Sequence, residues 1–258
     1  MTDTRNIMPK AALVTGSAKR IGRALALALA EDGWAVAVHH NRSSEAAEAV
    51  AAEIRGLGRQ VVVLQADLSS EAEVARLIPA AVEALGPLGC LVNNASVFEN
   101  DGIATADRAS WDCHLDTNLR APFVLTQDFA RQLPAAAEGV VLNLLDQRVW
   151  NLTPFFMSYT VSKSGLWTLT QTLALALAPR IRVNAIGPGP TLPSIHQTDE
   201  QFAGQCAAMP LQRGTTPGEI ADAMRFILKA RAMTGQMIAL DGGQHLGWAQ
   251  PGASAPID

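Results

Sequence analysis

The chain has a single tyrosine, Tyr159, and Lys163 follows it four positions later in "SYTVSK". On a helix that spacing puts both side chains on one face. A phenol with its ordinary pKa of about 10 is a poor proton donor or acceptor near neutral pH. A nearby ammonium stabilises the phenolate, so we expect Lys163 to lower the pKa of Tyr159 and make it a working acid/base. Asp146 ends the preceding apolar run, "VVLNLLD", and puts a carboxylate into the same constellation.

A second constellation lies near the start. "TGSAKRIG", Thr15–Gly22, closes one apolar run and opens a helical one, with Gly16 and Gly22 at its ends and Arg20 where a third glycine usually stands. Glycines there let a backbone turn tightly and meet a pyrophosphate at a helix N-terminus. The next apolar run ends in "VHHNRSS", where an NAD-binding site would carry an acid for the ribose hydroxyls. None is present. Arg42 and Ser43, with Lys19 and Arg20, instead offer donors suited to a 2′-phosphate, so NADP(H) is the expected cofactor. His39 and His40 lack a third ligand in reach, so we expect no metal and read the pair as packing on the adenine. Asp67 in "QADLS" is placed to accept from the adenine amine.

Elements that position these residues follow from periodicity. Continuous apolar runs at Ala11–Thr15, Ala35–His39, Val61–Gln65, Cys90–Asn94, Val140–Leu145 and Ile181–Ile186 read as parallel strands covered on both faces. Helical segments at Arg20–Asp32, Ser44–Leu57, Ser70–Leu85, Ser110–Leu133 and Met157–Ala178 alternate with them. The runs "ALALALA" and "LALALA" have period two, yet Ala and Leu are strong helix formers and both read as helix. Alternation of this kind predicts an α/β fold: a Rossmann-type doubly wound parallel β-sheet flanked by helices on both faces, in one domain. Polar groups at the carboxyl ends of the strands then share one rim, where such sheets bind ligands. Residues 191–210 form a long Pro/Gly-rich and then polar connection, either a substrate lid or an ordinary surface excursion. Residues 1–9 and 249–258 read as flexible termini.

Composition bounds the partners. A formal charge of −4 argues against nucleic acid or an anionic membrane, and no apolar run is long enough to span a bilayer. The start lacks a signal-peptide layout. Cys90, Cys113 and Cys206 are far apart and read as buried free thiols, in keeping with a cytoplasmic protein.

Taken together, Thr15-Gly16…Gly22, Asn93-Asn94-Ala95, Tyr159-x-x-x-Lys163 and "GPG" (Gly187–Gly189) resemble the short-chain dehydrogenase/reductase family, from Ala11 to "TGQMIALDGG". The resemblance implies that Tyr159 is the catalytic acid and that Lys163 also holds the nicotinamide ribose. It implies that Asn118 helps carry a proton-relay water, and that Asn94, Pro188 and Gly189 line the nicotinamide site with Thr191 capping it. Cofactor contacts are further implied at Ile21, Asn41, Leu68, Ala95 and Ser96. Relatives are usually tetramers, so a homotetramer joined through Ser110–Leu133, Met157–Ala178 and the last strand is expected, with the tail "GQHLGW" expected to cover a neighbouring active site.

Two departures, Arg20 for glycine and Asp146 for the usual serine, occur together in the pteridine reductases of that family. "VNNASVF" and "QADLS" resemble that group as well. A serine hydroxyl donates to a ketone oxygen, whereas a carboxylate repels a developing alkoxide but suits a C=N bond whose nitrogen takes a proton. The resemblance implies that Arg20 bridges the cofactor pyrophosphate to a polar heterocycle, that Phe98 stacks on that ring, and that Ser96, Asp146 and Tyr159 also contact it. The expected activity is NADPH-dependent reduction of a dihydropterin. The alternatives are a carbonyl reductase, such as a 3-oxoacyl-thioester reductase, and a catalytically silent NADP-binding regulator.

Overall fold

The computed structural model describes residues 8–194 and 197–247. The remainder of the expected flexible ends, residues 1–7 and 249–258, and Trp248 of the tail lie outside the described residues. Seven strands form one sheet: β1 (Ala11–Val14), β2 (Ala35–His40), β3 (Val61–Gln65), β4 (Cys90–Asn93), β5 (Gly139–Leu144), β6 (Ile181–Pro188) and β7 (Met237–Leu240). Their order is β3-β2-β1-β4-β5-β6-β7, and every pairing is parallel. The order reverses between β1 and β4, which opens a crevice at the carboxyl ends of those strands.

Helices α1 (Arg20–Glu31), α2 (Ser44–Gly56), α3 (Glu71–Leu85), α4 (Arg108–Leu115), α5 (Ala121–Gln132), α6 (Met157–Leu177), α7 (Asp199–Ala207) and α8 (Pro217–Lys229) complete the frame. Successive strand residues point to opposite faces. Ala12 and Val14 therefore pack with Leu25, Leu29, Ile54 and Met224 of α1, α2 and α8. Ala11 and Leu13 pack with Leu77, Ile78, Leu125 and Phe129 of α3 and α5 on the other face. The period-two run Ala24–Ala30 lies within α1, where Leu25, Ala26, Ala28, Leu29 and Ala30 are buried.

The long helix expected over Ser110–Leu133 is interrupted. Between α4 and α5, Asp116–Arg120 form a π-turn. Two causes, one local and one tertiary, coincide there. Pro122 has no N–H to give to the carbonyl of Asn118 four residues back, and the Asn118 side chain is pinned to the Val97 backbone through both its donor and its acceptor. Cys90 is buried in β4, but Cys113 is exposed and Cys206 half-buried, which corrects the expectation of three buried thiols. Among the described residues no helix is long and apolar enough to cross a membrane, and no three metal-ligating side chains cluster.

Candidate functional site

The nucleotide end is built by the loops after β1 and β4. Thr15 Oγ1 accepts from the amides of Asn94 (2.9 Å) and Ala95 (3.0 Å). Asn94 Nδ2 returns bonds to the Thr15 carbonyl (2.8 Å) and the Gly16 carbonyl (3.2 Å). The approach leaves no room for side chains: a Cβ on Gly16 would lie 2.9 Å from Ala95 Cα, and one on Gly22 only 2.3 Å from the Gly16 carbonyl oxygen. Gly16 also has φ +63°, a region glycine enters without penalty. The first turn of α1 thus sits directly on a bare backbone cradle, which fits a pyrophosphate.

His39 serves this cradle differently from what its sequence position suggests. Its Nδ1 accepts from the Gly16 amide (3.0 Å), and its Nε2 donates to the Ala66 carbonyl (3.1 Å). Those partners dictate a neutral tautomer, because the first is a donor and the second an acceptor. Burial, with His40 adding a like-charge effect, lowers its pKa to about 4. His39 is 1% exposed. The expected packing on adenine is therefore corrected: both ring nitrogens bolt the glycine turn to the end of β3.

Around the cradle, Lys19 and Arg42 are exposed, and Ser43 precedes α2 without spending its hydroxyl as a cap. These donors, with no acid at the end of β2, fit a 2′-phosphate. Asn41 lends its carbonyl to Gln65 Nε2 (3.4 Å). Asp67 Oδ1 accepts from the amide and hydroxyl of Ser69 (2.9 and 2.8 Å), and these bonds hold its carboxyl below the usual range. Leu68 is buried and Ile21 half-buried beneath the same rim.

At the far bank β6 ends in Pro188-Gly189, where a Cβ on Gly189 would meet Asp241 Cα at 2.7 Å. Thr191 Oγ1 donates to the Gly189 carbonyl (2.9 Å). The expected 191–210 lid carries α7, opened by a capping box in which Thr198 and Gln201 exchange side-chain bonds. Ile195 and His196 within it lie outside the described residues. Arg20, at φ +54°, sends its guanidinium to this bank, with Nη1 donating to the Pro193 carbonyl (2.8 Å) and Nη2 to the Leu192 carbonyl (3.2 Å).

Between the banks stands the chemical end. Asp146 follows β5 and caps a short turn, Gln147–Val149, accepting from the Arg148 amide at Oδ1 (2.8 Å). Its other oxygen, Oδ2, accepts from the Tyr159 hydroxyl (2.9 Å). Lys163 is buried one turn along α6 and donates from Nζ to the Leu144 carbonyl (2.8 Å). The expected effect of Lys163 on Tyr159 is corrected. Burial and the Asp146 carboxylate raise the phenol well above 10, and burial lowers Lys163 itself to about 8, against the opposing pull of Asp146. The carboxylate is bonded to the hydroxyl, whereas the ammonium lies 5.7 Å from the ring centre.

Asn118 joins the loop after β4 to α6. Its Oδ1 accepts from the Val97 amide (2.8 Å), and its Nδ2 donates to the Val97 carbonyl (2.9 Å) and Ser162 Oγ (3.1 Å). These side-chain bonds hold the loop after β4 against α6. Ser96, on that loop, donates to the Val97 carbonyl (3.2 Å). Phe98, 38% exposed, stacks on Phe156 at 4.4 Å and meets Tyr159 edge-on at 4.7 Å. Arg148 lies over the Phe156 ring at 4.9 Å, and Phe156 is itself left-handed at φ +56°.

Three supporting residues escaped sequence reasoning. Helix α6 has no side-chain cap of its own. Asp101, from the loop that carries Phe98, supplies one: its carbonyl accepts from the Met157 amide (3.3 Å), its Oδ1 from the Ser158 amide (3.1 Å), and its Oδ2 from the Ser158 hydroxyl. His114 Nδ1 contacts Ser158 Oγ (2.7 Å) while its Nε2 accepts from the Glu99 amide (3.1 Å). This clip sets the first turn of α6, and with it Tyr159. Its only sequence trace is a histidine on the buried side of an amphipathic helix.

A dinucleotide cradle beside a phenol and a carboxylate that share a hydrogen bond is the equipment of a nicotinamide-dependent oxidoreductase. The pattern of the short chain dehydrogenase family matches residues 10–203, and the chain belongs to that family. The crystal structure of FolM Alternative dihydrofolate reductase 1 from Brucella canis, complexed with NADP, aligns with a TM-score of 0.90 at 47% identity, over 96% of this chain and 98% of that one. Its counterpart from Brucella suis, also in complex with NADP, aligns equally at 0.90 and 47%. Among sequence relatives, 3-oxoacyl-[acyl-carrier-protein] reductase FabG from Staphylococcus aureus is 35% identical over 244 residues, 93% of this chain and 99% of that protein. The chain is an oxidoreductase of this family whose cofactor is NADP(H).

Proposed function

We propose that the protein reduces a dihydropterin with NADPH. The observation that carries this reading is the Tyr159 hydroxyl bonded to Asp146 Oδ2 at 2.9 Å at the end of β5. A ketone oxygen gathers negative charge as it is reduced and needs donors around it. Asp146 offers only acceptor oxygens there. A pterin ring carries N–H groups that donate to a carboxylate, and the nitrogen of its reduced C=N bond must gain a proton. Tyr159 and Asp146 hold such a proton between them, and the raised pKa of the phenol keeps it in place until an acceptor nitrogen is seated.

NADPH, when bound, supplies the hydride to the ring carbon. Gly16, Asn94 and the first turn of α1 would hold its pyrophosphate, Lys19, Arg42 and Ser43 its 2′-phosphate, and Lys163 its nicotinamide ribose. Asn118 holds Val97, and so Ser96 and Phe98, in register with α6. Phe98 gives a flat ring an exposed aromatic partner. The 47% identity to the Brucella reductases supports this reading. A second reading, carbonyl reduction, is favoured by the 35% identity to 3-oxoacyl reductases.

NADPH oxidation with dihydropterins and an acetoacetyl thioester side by side separates the two. We expect turnover of a dihydropterin that falls at least about a hundredfold in Asp146→Ser. Turnover of the thioester alone would reject the pterin reading.

A further inference from the structure

Arg20 occupies a place that suits it badly by every local measure. Its φ of +54° lies where glycine is at ease and a side chain is not. It is also the first residue of α1, whose first turn holds no acid, so its charge faces the positive end of the helix dipole. A residue kept under strain at a functional rim points to a task for its side chain.

That side chain grips two consecutive carbonyls, Leu192 and Pro193, more than 170 positions away in sequence. The planar guanidinium fork presents donors from two nitrogens at once; a lysine has one nitrogen. The sheet order gives the grip its meaning. Arg20 stands beyond β1 and the gripped carbonyls beyond β6, with β4 and β5 between them. Three strand spacings, about 14 Å in all, separate the two banks. Asn94 and Asp146, at the ends of β4 and β5, lie in the gap. The link from Arg20 to Leu192 and Pro193 therefore joins the two sides of the crevice.

We propose that Arg20 is a clasp across the cofactor crevice, retaining NADP(H) by joining the glycine turn to the segment after β6. The guanidinium donors not used on the two carbonyls remain for cofactor phosphate, so charge and closure act through one side chain. The proposal rests on the cofactor and not on the substrate, so it stands or falls apart from the dihydropterin reading.

Stopped-flow displacement of bound NADPH from the full-length protein tests it, with thermal melts of the same samples. Arg20→Gly is expected to release NADPH about tenfold faster, the equivalent of one charge-assisted hydrogen bond. Its melting temperature should equal or exceed that of the parent, since the substitution relieves backbone strain. Arg20→Lys, positive but without the fork, should release as fast while keeping the salt dependence of NADPH binding. Release at the parent rate from either variant overturns the clasp. Faster release from a less stable Arg20→Gly overturns it as well, because general loosening would then explain the rate.

Discussion

Replacing His39 by asparagine isolates one titration from the rest of the fold. Asparagine keeps an acceptor for the Gly16 amide but binds no proton between pH 4 and 7. His39 has a folded pKa of about 4 against an ordinary value of 6.5, because burial opposes its charged form. The sign follows from linkage. Above pH 6.5 the ring is neutral in both folded and unfolded chains, and its full contribution to stability is present. As pH falls from 6.5 toward 4, the unfolded chain takes up a proton that the folded chain refuses, so stability declines. At 1.36 kcal/mol per pKa unit, the decline reaches about 2 kcal/mol at pH 5 and about 3 kcal/mol below pH 4. Urea unfolding of both proteins at pH 7.5, 6 and 5, without cofactor, measures it. Subtracting one series from the other cancels the carboxylates, which titrate in both. The parent should be the more stable at pH 7.5, and its advantage should shrink by about 2 kcal/mol by pH 5. Parallel pH profiles would refute the reasoning, since they would mean that His39 is free to protonate in the folded chain.

Two further expectations concern the cradle and the clip. Gly22→Ala places a Cβ 2.3 Å from a backbone oxygen that cannot swing away, so NADPH titration should show affinity reduced at least about tenfold; unchanged affinity would mean that the turn adjusts freely. Asp101→Ala removes the borrowed cap of α6 and should cost about 1–3 kcal/mol. Turnover should fall while NADPH affinity is kept, and Asp101→Asn, which retains an acceptor, should restore part of it; equal loss in both variants would contradict a capping role.

How much of this was legible beforehand divides along a physical line. Strands β1 to β6 were readable because each is a continuous apolar run, and the glycine turn because Gly16 and Gly22 occupy places where no Cβ fits. Tyr159 and Lys163 were readable because helical spacing is local. The direction of the Tyr159 pKa was not, because it depends first on how deeply the phenol is buried and then on which charge lies nearer in space. Asp146, thirteen positions upstream, outweighs Lys163, four positions downstream. His39 was misread for the same kind of reason. Its partners, Gly16 and Ala66, lie 23 and 27 residues away, and nothing in "VHHNRSS" names them. Asp101 caps a helix 57 residues further on, so no local cap pattern could reveal it. The π-turn needed both Pro122 and a tertiary bond to Asn118 before it could be placed.

That π-turn makes the count of residues between Asp116 and Arg120 carry information that their chemistry does not. A helix advances about 100° per residue, so a segment wound more loosely fixes the rotation of α4 against α5. Deleting any one of the five residues would let the helix close toward regular α-form, with every backbone bond still made except the one that Pro122 has no N–H to give. His114 would then face a different side from the one that meets Ser158, and Asn118 or its replacement would point away from Val97. A change that leaves composition, charge and helix content almost untouched would thus uncouple the loop bearing Phe98 from the helix bearing Tyr159. For this stretch, tolerance to substitution and tolerance to deletion are separate properties, and alignments or libraries that treat a gap there as a mild change would misjudge it.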